Sequence, residues 1–309
     1  MTDTTAKMKI LQLSEKKSVQ LKERAGWNEG FYKLSTTHIG AIQAAFFANR
    51  PLLVRGGPGL GKSQLAHAIA SIADWGLMSC VVHYNTTIDD LLYSIDHIAR
   101  LDSANNNTEK VGELSQYVKP GKLWQTIAPD TLDKYGKHKP HNFAGTVLLI
   151  DEIDKADSTL PNALLEVLAA GGINVPCVDQ PIQTKASHPY FIVVTSNEER
   201  LLPKAFLRRC AVLELQIPEE KSEAIALLMD IYTTHYPAAQ SESDLNEAKA
   251  VAEKVISQRN TQNDDDYFAG TSEFLDMIKA LREYPENERN SVRLALLSKH
   301  LVEKTRLRG

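Results

Sequence analysis

The chain has 309 residues, 43% of them hydrophobic, which is enough to bury a large core and argues against a disordered protein. Its 35 basic and 39 acidic residues leave a formal charge of -4, so we expect no general attraction to nucleic acid or to an anionic membrane. The three cysteines lack metal-ligand spacing, residues 1–17 lack the apolar core of a signal peptide, and no apolar run reaches the roughly 18 residues of a membrane span. We therefore predict a cytoplasmic protein without a membrane segment.

Short apolar runs alternate with helical patterns over the first two thirds of the chain. The runs are Pro51–Val54, Cys80–Tyr84, Val147–Ile150, Tyr190–Thr195 and Ala211–Leu215. Such runs are typical of strands covered on both faces, and their alternation with helices predicts an α/β fold with a parallel sheet flanked by helices. Only helical spacing follows Pro218. We predict a lead-in over residues 1–37, an α/β domain over 38–217 and a small all-helical domain over 218–309.

A glycine-rich loop follows the first of these runs and opens a helical pattern. It matches G-x-x-x-x-G-K-[ST] in full, with the residues Gly56, Gly57, Pro58, Gly59, Leu60, Gly61, Lys62 and Ser63. In this pattern, backbone N–H groups and the helix N-terminus surround phosphate oxygens. Lys62 would reach the β- and γ-phosphates, and the Ser63 hydroxyl would bind Mg²⁺. The loop predicts a P-loop nucleotide site with ATP and Mg²⁺ as cofactors.

Two adjacent carboxylates, Asp151 and Glu152, end the apolar run Val147–Ile150. Strand ends of an open parallel sheet are where such sheets bind ligands. Asp151 is predicted to hold Mg²⁺ through water, and Glu152 to orient and deprotonate the attacking water. Asp154 is the next candidate for the base.

Several stretches resemble the AAA+ ATPases, in particular their MoxR-like branch. Ile150–Ala156 resembles the Walker B signature, Pro58–Ser63 with Leu65 and Ala66 resembles the phosphate loop, and Pro161–Leu168 resembles the helix after Walker B. Leu202–Arg209 resembles the segment that carries the arginine finger. The resemblance covers roughly residues 38–220 and implies a P-loop NTPase domain followed by a helical lid.

The resemblance also assigns roles outside these two motifs. Asn197, after the run Tyr190–Thr195, matches sensor 1, the polar residue that orients the attacking water; the alternative is a turn-forming asparagine. Arg209 matches the arginine finger by register, with Arg208 beside it; alternatively, both arginines only solvate the entry to the next strand. Asn85 corresponds to the glutamate switch that holds the catalytic glutamate in an idle position, or to a plain turn.

Three further regions are informative. Glu273 stands where the family's lids often carry a sensor 2 arginine, with Ser272 as the predicted cap of its helix and Arg282 later on that helix. Residues 95–143 exceed what one crossover needs; the resemblance allows this insert to face a ring's central channel, and packing of Trp124 onto the body is the alternative. Ile173–Thr184 is predicted to form a hairpin, as in this branch.

The resemblance implies an ATP-hydrolysing enzyme that remodels or activates a protein partner in a chaperone-like role. It further implies a homo-oligomeric, hexameric ring and a partner with a von Willebrand factor A-type domain. Two other functions stay open: a motor subunit of a nucleic-acid-processing or phage-defence assembly, and a slow nucleotide-dependent binding switch. The charge balance does not favour nucleic acid, whereas the absence of a sensor 2 arginine favours the switch.

Overall fold

The computed structural model describes residues 5, 9–15, 18–24, 26–105, 113–135, 143–176, 178, 181–183, 188–259, 269–289 and 291–302. The chain divides into two compact units, each assembled from segments that are separate in sequence. The first unit contains Met1–Lys17, Ser35–Arg55 and Ala66–Leu213, and the second contains Ser18–Leu34, Gly56–Leu65 and Glu214–Gly309.

The strands and helices of the described residues are numbered in chain order. The strands are β1 (Ser18–Leu21), β2 (Gly30–Lys33), β3 (Leu52–Arg55), β4 (Gly76–Val81), β5 (Tyr93–Ile95), β6 (Val118–Pro120), β7 (Thr146–Asp151), β8 (Gly172–Ile173), β9 (Ile182–Gln183), β10 (Tyr190–Ser196) and β11 (Ala211–Glu214). The helices are α1 (Thr36–Phe47), α2 (Lys62–Ala73), α3 (Ile88–Leu92), α4 (His97–Asn105), α5 (Lys122–Ile127), α6 (Thr159–Ala170), α7 (Lys204–Arg209), α8 (Lys221–His235), α9 (Glu242–Arg259), α10 (Thr271–Arg282) and α11 (Ser291–Leu301). Short 3₁₀ turns lie at Gln12–Glu15, Leu114–Tyr117, Pro129–Lys134, Ile153–Lys155 and Glu286–Glu288.

A five-stranded sheet in the order β11-β3-β10-β7-β4 forms the centre of the first unit. The pairings of β3 with β10, β10 with β7 and β7 with β4 are all parallel. The first five residues of β7 are buried, as expected for a central strand covered by helices on both faces. The predicted fold class, a parallel sheet flanked by helices and followed by C-terminal helices, is confirmed.

The strand predicted at Cys80–Tyr84 was placed too far along the chain. It is β4, and it pairs residue by residue with β7 from Gly76 opposite Thr146 to Val81 opposite Asp151. Because β7 ends at Asp151, the ladder closes with one more hydrogen bond, from the Val82 N–H to the Asp151 carbonyl. Asn85 therefore lies in an exposed turn beyond the strand.

The insert packs onto the first unit through its aromatic residue. The side chains of Leu123 and Trp124 are fully buried, and the Trp124 Nε1–H donates to the Thr131 hydroxyl at 2.8 Å. The packing alternative is thus correct for this part of the insert. Residues 106–112 and 136–142 lie outside the described residues.

The segment between α6 and β10 contains a glycine that ends the helix and the predicted hairpin. The helix α6 ends at Gly171, which adopts the left-handed conformation (φ 65°) that favours glycine at a helix end. β8 and β9 pair antiparallel, Gly172 opposite Gln183, which gives the predicted hairpin; Thr184 lies outside the described residues.

The second unit combines an antiparallel hairpin with the C-terminal helices. β1 pairs with β2, and the Lys33 ammonium donates to Asp230 of α8 at 2.8 Å. The helices α8 to α11 share one buried cluster, whose fully buried members include Leu228, Val251, Phe274 and Met277. The apolar spacing after Pro218 predicts these helices. None of the helices within the described ranges is both long and apolar enough to cross a bilayer.

Candidate functional site

The glycine-rich loop of the second unit has a backbone that only glycine can adopt at its first position. Gly56 has φ 137°, and a Cβ atom there would lie 2.2 Å from the carbonyl oxygen of Leu215. Gly59 and Gly61 also have positive φ, at 74° and 81°. These conformations turn successive peptide groups, as a loop that presents N–H groups to an anion requires.

Lys62 is the first residue of α2 and crosses back over this loop. Lys62 is only 7% exposed, and its ammonium donates to the carbonyl oxygens of Gly56 at 2.8 Å and Gly57 at 2.6 Å. A buried ammonium is costly unless it is hydrogen-bonded, and these carbonyls meet that need. The loop therefore holds the Lys62 ammonium in place. Phosphate oxygens bound there would be stronger acceptors than these carbonyls, because they are charged.

Tyr32 of β2 lies against the same loop and was not predicted from the sequence. A Cβ atom on Gly61 would lie 3.4 Å from the Tyr32 ring carbon Cε2. Burial raises the pKa of the Tyr32 phenol, so the ring stays neutral at physiological pH. Residues 1–37 were predicted as a lead-in, without a sequence signal for this contact.

The helix α10 begins earlier than the sequence predicts. Its N-cap is Gly270 and not Ser272, because the Glu273 carboxylate accepts from the Gly270 N–H at 2.8 Å. Ser272 instead turns toward the glycine-rich loop. Its backbone N–H and its hydroxyl both donate to the Gly59 carbonyl oxygen, at 3.0 and 3.1 Å.

A second set of polar residues lies in the first unit, where β7 and β10 end. Asp151 is the last residue of β7, and Glu152 follows it in the left-handed conformation (φ 61°, ψ 47°). This conformation costs of the order of 1 kcal/mol or more for a residue with a side chain, and it persists only when its surroundings fix it. Thr195 provides that restraint, since its hydroxyl oxygen accepts from the Glu152 N–H at 2.9 Å.

Thr195 connects both carboxylate residues and was missed by the sequence analysis. Its side chain is fully buried, and its hydroxyl donates a short hydrogen bond to Oδ1 of Asp151. A sequence signal for Thr195 is its spacing from Asn197: it precedes Asn197 by two residues at the end of β10, and residues two apart in extended backbone face the same side.

The Glu152 carboxylate has two partners. Its Oε1 accepts from the side-chain amide of Asn197 at 3.2 Å, and its Oε2 accepts from the Lys155 ammonium at 2.7 Å. This hydrogen bond is the main cause of a raised Lys155 pKa. The side chains predicted as the base and as the water-orienting amide, Glu152 and Asn197, are in direct contact. Asn85, the candidate switch residue, lies in its exposed turn, and the Glu152 carboxylate is instead bonded to Asn197 and Lys155.

The carboxylate of Asp154 accepts from backbone groups, whereas that of Glu152 accepts from side chains. Asp154 is 2% exposed, and its two oxygens accept from the backbone N–H groups of Asn197 at 3.2 Å and Glu199 at 2.9 Å. A carboxylate used in this way fixes the loop after β10 and with it the position of Asn197. We assign Asp154 a positioning role rather than that of a second base.

The two predicted finger arginines, Arg208 and Arg209, end α7, directly before Cys210 and β11. Both side chains are exposed, and neither forms an ion pair with any other residue of the described ranges. The backbone carbonyl of Arg208 accepts from Arg50 at 3.3 Å, which ties the end of the helix to the body of the unit. The end of α7 is thus fixed through the Arg208 backbone, while neither guanidinium group has an ion-pair partner in the described part of the chain.

Arg282 is held within the C-terminal helices. Its guanidinium donates to the Tyr232 hydroxyl at 3.0 Å and to Asp244 at 3.4 Å, and it lies 5.0 Å from the centre of the Tyr236 ring. These three contacts hold the Arg282 guanidinium among the C-terminal helices. Ser272 and Glu273, and not an arginine, are the residues of α10 that lie against Gly59 of the glycine-rich loop.

Thr195→Val is expected to lower both the stability and the turnover of the protein. Valine keeps the shape but removes the hydroxyl, which leaves the partly buried Glu152 N–H without this partner and releases Asp151. We expect a loss of about 1–3 kcal/mol in the free energy of unfolding, measured by urea denaturation. ATP turnover should fall at least about tenfold, because each 1.4 kcal/mol of lost positioning costs a factor of ten. Thr195→Ser, which keeps a hydroxyl, is the control. Equal ATP turnover in Thr195→Val and Thr195→Ser would show that the hydroxyl does not contribute to turnover.

Comparison with known proteins agrees with this geometry. A family model described as AAA domain (dynein-related subfamily) matches residues 51–210, more than half of the chain. The chain therefore belongs to the AAA domain family, in its dynein-related subfamily. The matched segment runs from the strand before the glycine-rich loop to the residue after Arg209. A search among curated proteins finds no match.

Solved structures with a related fold include proteins of two bacteria. A RuvB variant of Thermotoga maritima has 15% identity over 85% of this chain and 67% of its own, with a TM-score of 0.48. The T. maritima RuvB Holliday junction branch migration motor has 16% identity over 85% and 66%, with a TM-score of 0.45. A proposed ATPase from Cytophaga hutchinsonii has 15% identity over 97% and 88%, with a TM-score of 0.43. The chain spans about two thirds of the RuvB chains.

Proposed function

We propose that this AAA-domain protein hydrolyses ATP and belongs to the MoxR-like branch. The observation that carries the proposal is the arrangement of Glu152. Its backbone is fixed in a rare conformation by Thr195, and its carboxylate lies 3.2 Å from the Asn197 amide. A carboxylate and an amide paired in this way can share one water molecule, the first accepting its proton and the second orienting it.

The other residues of the two motifs are proposed to bind the phosphates and Mg²⁺. The N–H groups of the loop from Gly56 to Ser63 and the Lys62 ammonium bind the phosphates of ATP. Ser63 and Asp151 supply hard oxygen donors of the kind that Mg²⁺ prefers, so the chemistry of the residues fits this cation. When bound, Mg²⁺ neutralises charge on the phosphate oxygens during transfer. Thr195 keeps the Asp151 carboxylate oriented.

We propose further that copies of this chain form a homo-oligomeric, hexameric ring. Its support is the pair of exposed arginines at the end of α7, which have no ion-pair partner within the described part of their own chain. Arg209 would meet the γ-phosphate held by a neighbouring subunit, with Arg208 beside it. In this proposal residues 38–217 are the nucleotide-binding domain, residues 218–309 the lid and residues 1–37 the lead-in.

The partner of the ring is proposed from the MoxR-like resemblance. A protein client, or a partner with a von Willebrand factor A-type domain, would be remodelled or activated in the cytoplasm. Capture by a trapped Glu152→Gln protein in the presence of ATP is the direct way to recover such a partner. Salt-sensitive DNA binding by the same protein would instead favour a nucleic-acid motor.

A slow nucleotide-dependent switch is the second candidate function, and one observation favours it. The helix α10 brings the carboxylate of Glu273, and not an arginine, to the glycine-rich loop, while Arg282 is bonded to Tyr232 and Asp244. A lid without a cation at the phosphates lacks one source of rate enhancement. A turnover number far below one per minute, with tight ATP binding, would support the switch.

Lys62→Ala tests the nucleotide site itself. We expect ATP affinity to fall roughly 10- to 100-fold, because the phosphates lose the charge-assisted hydrogen bonds of the Lys62 ammonium. Isothermal titration calorimetry measures the affinity, and Lys221→Ala, at the exposed start of α8, is the matched control. Near-native ATP affinity in Lys62→Ala would contradict the assignment of the loop.

A further inference from the structure

The first turn of α10 is bonded to the glycine-rich loop through a single carbonyl group. Ser272 donates twice to the Gly59 oxygen, from its N–H at 3.0 Å and from its hydroxyl at 3.1 Å. Gly59 and Ser272 belong to the same compact unit, so this link is internal to a well-packed body. The loop and the helix are thereby held at a fixed spacing.

This link affects what the loop can bind. A loop that points its N–H groups inward to an anion must point carbonyl oxygens outward, and each outward carbonyl needs a donor. The Gly59 carbonyl receives two donors from Ser272. Gly59 has φ 74°, so the peptide orientation that exposes this carbonyl to α10 is one that glycine adopts readily.

The same turn brings a negative charge to the loop. Glu273 is 7% exposed, and its Oε2 accepts from the Gly270 N–H at 2.8 Å. That oxygen would lie 3.2 Å from a Cβ atom on Gly59, so the carboxylate is in van der Waals range of the loop backbone. Burial, a defined hydrogen bond and the lack of a side chain on Gly59 together fix the charge beside the residues proposed to bind phosphates.

We propose that Glu273 sets the nucleotide preference of this site: it disfavours a nucleoside triphosphate relative to a diphosphate, and Ser272 is the positioning residue that holds it against Gly59. The inference rests on the proposed function, since it concerns the nucleotide bound by the same loop. Its physical basis is repulsion between like charges, because a triphosphate brings one more negative charge than a diphosphate to a partly buried carboxylate.

The proposal explains what the departure from a sensor 2 arginine does. A cation at this position attracts the terminal phosphate, whereas the Glu273 carboxylate repels it. Arg282 does not compensate, because its guanidinium is engaged by Tyr232 and Asp244. The site then depends on cations from outside this helix, such as Lys62 and Mg²⁺, to retain a triphosphate.

Glu273→Gln is the test, because glutamine keeps the shape and an acceptor oxygen for the Gly270 N–H while removing the charge. ATP and ADP affinities are measured by calorimetry at low salt, with Mg²⁺ present, for the wild type and the variant. We expect the ratio of ATP affinity to ADP affinity to rise at least about threefold, because one like charge is removed from beside the phosphates.

Glu283→Gln is the matched control, since it removes the same charge at the exposed end of the same helix, ten residues and roughly 15 Å farther along. Its ATP-to-ADP ratio should equal that of the wild type. Ser272→Ala provides the second variant: loss of one of the two bonds to Gly59 should raise the ratio in the same direction but less, and Ser272→Thr should restore it.

The outcomes separate the two proposals. A wild-type protein that binds neither nucleotide contradicts the proposed function and this inference with it. A wild type that binds both, with an unchanged ratio in Glu273→Gln, overturns the inference alone. An equal rise of the ratio in Glu273→Gln and Glu283→Gln also overturns it, because the effect would then be general surface charge.

Discussion

Glu152→Gln is expected to bind ATP with near wild-type affinity and to hydrolyse it about 10²–10⁴-fold more slowly. Glutamine cannot accept the proton of the attacking water, but its amide retains an acceptor oxygen and the length of the side chain. The contacts of Glu152 with Lys155 and Asn197 show that the carboxylate is held in one place, so the loss is chemical and not a loss of shape. Phosphate release and calorimetric ATP binding, measured on the same samples, check both halves of the expectation.

The control for this variant is Glu166→Gln, which makes the same change at an exposed position of α6. It should turn over ATP at the wild-type rate. Wild-type turnover in Glu152→Gln as well would show that Glu152 is not the base. Asp154 would not replace it, because Asp154 is 2% exposed, whereas Glu152 is only partly buried, and the Asp154 oxygens hold the backbone of the loop after β10.

Arg209→Ala is expected to leave ATP binding intact and to reduce hydrolysis by about 10³–10⁵-fold, the range for an arginine supplied in trans. The reason is electrostatic, since the guanidinium would meet negative charge that develops on the γ-phosphate in the transition state. The exposed Arg209 side chain has no ion-pair partner among the described residues of its own chain, so its removal should not disturb the fold.

Mixing two inactive proteins tests whether Arg209 acts between subunits. Arg209→Ala subunits supply an intact Lys62, and Lys62→Ala subunits supply an intact Arg209, so the mixture should recover part of the activity. Lys204→Ala, at the exposed start of the same helix, is the matched control and should stay active alone. Arg208→Ala, measured in parallel, assigns the finger between the two arginines. Full activity of each arginine variant alone would contradict the finger, and no recovery in a mixture of two inactive variants would contradict its action between subunits.

The sheet and its loops were predictable because local signals and the final packing agree. The runs that became β3, β7 and β10 are apolar enough to be buried on both faces, and the helix α6 ends at a glycine in the left-handed conformation. The sequence of the glycine-rich loop indicates its conformation, because a Cβ atom at Gly56 would clash with the Leu215 carbonyl. In these elements each residue's preference matches its environment.

The parts that were missed depend on partners distant in sequence. The end of β4 is set by where β7 ends, which the apolar run at Cys80–Tyr84 could not indicate. Thr195 acts through a residue 44 positions away, and Ser272 through a residue 213 positions away. Serine before a helical run predicts a cap, but the bond of Glu273 to Gly270 moved the cap two residues earlier.

The rate of phosphate release by the wild-type protein, measured with Mg²⁺ and ATP over a range of protein concentrations, tests the central claim most directly. The account predicts Mg²⁺-dependent release well above that of Glu152→Gln, with a specific activity that rises as the protein concentration rises, because Arg209 of one subunit completes the site of another. Release no faster than that of Glu152→Gln at every concentration, or a rate per subunit that is independent of concentration and unchanged in Arg209→Ala, would contradict it.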